Sequence, residues 1–220
     1  MLVLAVMVHM LKYAQMASRR PPRRAHLRAH GGEGVALYRG DFVAARAHLE
    51  QSLEPGVAPQ PSTPSFAGGL PPRIVSLTWL LRALWGLGYA DQAWQRSQEA
   101  VAVALQLEHA PSLVFAAYSA TMVAQFRRDV VTTQATAEAL MALAEAQGLG
   151  FRSEEGRCFR GWALALQGEA DEGLAQFRQG LAAHHTSGPK VGKPIVVPCW
   201  PRRVARWGCQ RRGSKCWRRP

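Results

Sequence analysis

Residues 161–188 read GWALALQGEADEGLAQFRQGLAAHHTSG, a stretch that has the form of a helix, a polar turn and a second helix. Gly161, Trp162, Leu164 and Leu166 fall in the first helix, and Gly168-Glu169-Ala170-Asp171 form the turn. Leu174, Phe177 and Leu181 then recur at intervals of three and four, which puts one apolar stripe on one face of the second helix. A hairpin this short cannot bury both of its faces alone, so it needs neighbours of the same kind. The spacing predicts a stacked-helix scaffold, which points to binding.

Working outward, the same unit recurs. Gly40, Gly88, Arg128 and Gly168 occupy one slot, separated by 48, 40 and 40 residues. The longer first interval contains EPGVAPQPSTPSFAGGLPP at 54–72, dense in Pro, Gly and Ser and read as a long loop. Five residues after each slot come Ala45, Ala93, Thr133 and Gly173, all small, where two helices would cross closely. Thirteen after it come Leu53, Val101, Met141 and Leu181; four before it come Ala36, Leu84, Ala124 and Leu164. Small and apolar residues at fixed offsets are the signature of helix-pair arrays. Local signals agree: Pro111 suits a first helical turn, Asp91 is read as an N-cap, and Gly148-Leu149 fits a left-handed C-terminal cap. The expected fold is all-α, a right-handed helical-hairpin solenoid of period about 40 with irregular basic termini.

These units resemble the tetratricopeptide-repeat family over residues 34–188. In the last unit Gly161, Leu164, Gly168, Gly173 and Phe177 sit at that family's glycine, aromatic, glycine, alanine and aromatic positions; in the second, Leu84, Gly88, Ala93 and Ala100 fit. The period exceeds the family's usual length of about 34, and Arg128 replaces a turn glycine. Phrases such as ALYRGDFVAARAHLEQ and ALWGLGYADQAWQRSQEAVAVA are similar to the C-terminal arrays of bacterial signalling ATPases, often fused to nucleotide cyclases or protein kinases. Related arrays occur in maltose-regulator-like transcription activators. The resemblance implies a non-catalytic interaction or regulatory module. No GxxxxGKS/T phosphate loop is present, so this chain would hold only the array.

The formal charge of +12 invites a nucleic-acid reading, but its distribution divides the chain. Residues 1–30 carry six Lys/Arg and no acid, and residues 189–220 carry ten and no acid. Between them lie the other 11 of the 27 basic residues and all 15 acidic ones, a net charge of −4. The body is mildly acidic and only the ends are basic. Residues 1–33 are read as an apolar then basic segment, and 189–220 as a tail rich in Arg, Trp, Cys and Pro. The loss of helical period and of every acid after Gly188 matches GC-rich coding DNA read out of frame, with a shift near Lys193–Val197. Trp200, Trp207 and Trp217 among those basic residues would alternatively stack on bases while the arginines neutralise phosphates. That alternative is a nucleic-acid-binding protein acting through its tails, set against a basic tail with no partner.

Met1–Met10 is too short to span a bilayer and lacks the basic flank of an export signal, so a cytoplasmic location and no membrane partner are expected. Cys199, Cys209 and Cys216 match no zinc spacing, and Cys158 reads as a small buried hydrophobe. Adjacent His184 and His185 point about 100° apart on a helix and make no chelating pair. Glu154-Glu155 and Asp171-Glu172 are read as helix-start acids meeting the dipole. No catalytic constellation, metal site or cofactor is expected. The remaining candidate is an inner groove lined by the first helix of each pair, with Arg82, Trp85, Tyr118, Met122, Gln125 and Trp162 facing inward to bind a peptide. Packing between units is the competing assignment, above all for Trp162. An end helix with no neighbour to cover it implies self-association.

Overall fold

The chain turns back on itself at residues whose backbone is left-handed. The computed structural model describes residues 36–37, 39–54 and 70–187. Within them are seven α-helices and no strand: α1 (Phe42–Ser52), α2 (Pro72–Gly86), α3 (Ala90–Gln106), α4 (Ala110–Phe126), α5 (Val130–Ala146), α6 (Gly150–Gln167) and α7 (Ala170–Ser187). The readings of residues 1–33, of the loop at 55–69 and of the tail at 189–220 lie outside the described residues, as do the side chains of His184 and His185.

All four residues aligned as turn slots are left-handed: φ is +80° at Gly40, +89° at Gly88, +58° at Arg128 and +104° at Gly168. Two further reversals use Glu108 (+48°) and Gly148 (+64°). From Gly88 onward the left-handed residues fall at 88, 108, 128, 148 and 168, one every twenty residues. The closing bonds repeat as well. Gly88 N–H donates to the Trp85 carbonyl (3.0 Å) and Tyr89 N–H to that of Leu84 (2.9 Å). Arg128 and Asp129 donate to Gln125 (3.0 Å) and Ala124 (3.1 Å), while Gly148 and Leu149 donate to Glu145 (3.0 Å) and Ala144 (2.9 Å). This paired 5→2 and 6→1 arrangement satisfies the carbonyls left open at a helix end.

Helix starts follow ordinary chemistry. The Asp41 carboxylate accepts from Ala44 N–H at 3.1 Å, and that of Asp129 from Thr132 N–H at 3.0 Å. Pro72 and Pro111 occupy first turns, where a missing N–H is harmless. Asp91 is not the N-cap of α3. That helix opens two residues earlier than such a cap requires, at Ala90, Tyr89 holds the cap position, and Asp91 lies in the first turn, where its carboxylate accepts from Arg127 Nη1 at 2.7 Å.

Each helix packs on the next in the chain, from α1 against α2 through to α6 against α7. In addition α2 touches α4 and α4 touches α6, whereas the odd-numbered helices make no comparable contact with one another. The core is therefore a continuous seam with α4 at its centre. All fourteen residues from Ser112 to Gln125 are buried, as expected for a helix enclosed by α2, α3, α5 and α6. The hydroxyls carried into this seam are satisfied locally: Ser119 donates to the Phe115 carbonyl (3.0 Å) and Thr121 to that of Ala117 (2.9 Å). The small-residue slot does what its position predicts, since Ala45, Ala93 and Thr133 are each 0 % exposed.

Candidate functional site

Tyr118, Met122 and Gln125 stand at intervals of four and three on α4, one above another on one face. All three are buried, at 3, 1 and 1 % exposure, and Trp162 on α6 is 2 % exposed. The expectation that these four line an open groove is corrected on this point: their side chains lie inside the seam, as the packing assignment holds. The physical reason is the approach of α2 and α6 to both sides of α4, which a one-dimensional pattern does not encode. Arg82 and Trp85 on α2 remain half-buried. The Trp85 ring sits 5.2 Å from that of Phe126, which ties α2 to the end of α4.

The structure gathers a second group around Tyr118. Its ring lies 5.8 Å from Phe159 of α6. The Arg152 guanidinium stands 4.2 Å from the Tyr118 ring centroid, 4.9 Å from Phe151 and 5.6 Å from Phe115. Each such contact contributes about 0.5–2 kcal/mol, more as the cation loses water. Arg152 also donates from Nη1 to Glu155 Oε2 at 2.6 Å, with side-chain exposures of 16 and 8 %. A charge-assisted pair this enclosed is worth keeping intact, because removing either member strands the other.

Burial, helped by Glu155, pushes the Tyr118 phenol up to about 12 against the opposing pull of Arg152 and Arg82. Burial, with Glu155 and Glu154, likewise raises the Cys158 thiol to about 12. Both stay protonated at neutral pH, so in this state neither acts as base or nucleophile. Cys158 is 3 % exposed, a small buried hydrophobe as read from the sequence.

Arg152 and Phe115 are not singled out in the sequence reading. Glu154 and Glu155 were assigned to a helix start, but α6 begins at Gly150 and has no acid in its first turn. Each instead pairs with an arginine three residues away, Glu155 with Arg152 and Glu154 with Arg157 (3.1 Å). That i, i+3 spacing was the available signal. Asp171 and Glu172 do lie in the first turn of α7. Among the described residues no group of three or more His, Cys, Asp or Glu is placed to hold a metal ion, and no helix is long and apolar enough to cross a membrane.

No family model, curated protein or solved structure matches the chain.

Proposed function

We propose that this chain is a right-handed helical-hairpin solenoid of tetratricopeptide type and serves as a non-catalytic protein-interaction or regulatory module. The kind of protein it suits is a bacterial signalling ATPase fused to a nucleotide cyclase or kinase, or a related transcription activator, of which it would be the array. The observation that carries this reading is the succession of left-handed residues at 88, 108, 128, 148 and 168 between helices that pack in chain order. Alternate helices α2, α4 and α6 meet one another with α4 buried between its neighbours, so the surface that the first helices leave accessible lies on the flanks of α4. Arrays of this type use such a surface to hold an extended partner. Arg82 and Trp85 are its half-buried members, of the residue types that dominate interface energetics.

The test is selection of peptide binders on the full chain, followed by Arg82→Ala and Trp85→Ala. Loss of about tenfold or more in affinity for each variant supports the reading. Binding that ignores both substitutions and falls steeply with added salt points instead to the basic ends and a nucleic-acid partner.

A further inference from the structure

Gln125 occupies the last turn of α4 at 1 % exposure, and neither its amide nitrogen nor its amide oxygen has a hydrogen-bond partner. Both atoms are sealed from solvent. A buried amide in that condition is disfavoured relative to an apolar side chain of the same size. The fold does not require a polar group at this place. The equivalent positions, three residues before the other aligned turns, hold Leu37, Trp85 and Ala165. The surrounding hydroxyls on α4 are satisfied by their own helix, so Gln125 is the exception on its stripe. On α2 the half-buried Trp85 holds its ring 5.2 Å from that of Phe126, the residue that follows Gln125 in the chain.

One donor and one acceptor side by side are complementary to the same pair on another amide, as in a peptide bond. We infer that Gln125 is a ligand-binding residue held closed in the free chain, and that it hydrogen-bonds a backbone amide of an extended polypeptide entering between α2 and α4. This rests on the peptide-binding reading above and adds the chemical group that is recognised. Entry of the ligand parts the seam at Trp85 and gives the amide the partners it lacks. A stability penalty in the free state and a binding function are two sides of one residue.

The experiment uses the full chain and Gln125→Met, which keeps the volume and removes both polar atoms. The probe is a peptide selected from a phage-displayed random dodecapeptide library on the wild-type chain and shown to depend on Trp85 by Trp85→Ala. The expected result is a melting temperature raised by about 3–6 °C in Gln125→Met, together with affinity lowered about tenfold or more. N-methylating the peptide backbone one amide at a time then finds a position that weakens wild type about tenfold and Gln125→Met less than about twofold. A lowered melting temperature means the amide is paired in the native state and overturns the inference. A raised melting temperature with unchanged affinity also overturns it while leaving the peptide-binding reading in place. If the library yields no Trp85-dependent peptide, both readings fall.

Discussion

Gly161 and Gly173 meet across the α6–α7 crossing so closely that neither position has room for a side chain. A Cβ on Gly161 would come within 2.5 Å of the Gly173 carbonyl oxygen and 2.8 Å of the Phe177 nitrogen; one on Gly173 would strike the Gly161 carbonyl and lie 2.7 Å from the Ala165 nitrogen. The obstacles are backbone, which cannot swing aside. Gly161→Ala and Gly173→Ala are each expected to destabilise the chain by about 2–3 kcal/mol, read as a fall in melting temperature of about 5–10 °C. Gly150→Ala, at a position with nothing within 4 Å, is the control. It should be neutral or stabilising by up to about 1 kcal/mol.

Arg128 and Gly88 hold the same turn conformation with different residues, φ +58° against +89°. A left-handed residue with a Cβ is disfavoured by about 1–2 kcal/mol, partly offset by the extra freedom that glycine gives the unfolded chain. Arg128→Gly should therefore stabilise by about 0.5–1 kcal/mol. Gly88→Ala, where space is open and only the dihedral matters, should destabilise by about 1 kcal/mol. Denaturant midpoints with unchanged m-values would check both signs.

Glu155 neutralises an Arg152 that is held among three aromatic rings. Glu155→Leu leaves the guanidinium enclosed and uncompensated, and is expected to cost about 2–4 kcal/mol. Adding Arg152→Met in the same chain should recover most of that loss, since an apolar pair of similar volume fits the site. A double variant no more stable than the single one would show that the pair does more than balance charge.

The alkaline limb of stability follows from Tyr118 and Cys158. Unfolded, these groups release their protons near 10.0 and 9.0; folded, each holds its proton to about 12. Above pH 9 the unfolded state binds fewer protons than the folded one, so stability falls as pH rises from about 9 to about 12. The full contribution is present below pH 9. Urea midpoints at pH 8, 9, 10 and 11 measure the fall, at no more than about 1.4 kcal/mol per pH unit for each group. Tyr118→Phe should make the slope shallower between pH 10 and 12.

The turns were legible because each depends on a few adjacent residues. Gly88, Gly168 and even Arg128 were aligned by offset alone, and all three are left-handed. The small slot at Ala45, Ala93, Thr133 and Gly173 was legible for the same reason, since close crossing demands small side chains. Burial of Trp162 is what an aromatic at helical spacing suggests, but that of Tyr118, Met122 and Gln125 was not legible, because it depends on how near α2 and α6 come to α4. A stripe on a helix wheel shows which residues share a face, and it does not show what covers that face. Glu155 was misassigned because α6 already starts at Gly150, which carries the acid out of the first turn and into reach of Arg152.

Serial packing is the claim on which the rest depends, and ring-to-ring nuclear Overhauser contacts in the labelled full chain test it most directly. The account predicts contacts between Trp85 and Phe126, linking α2 to α4, and between Tyr118 and Phe159, linking α4 to α6, at centroid separations of 5.2 and 5.8 Å. Absence of both contacts in a folded chain, or contacts joining α1 to α7, would contradict it.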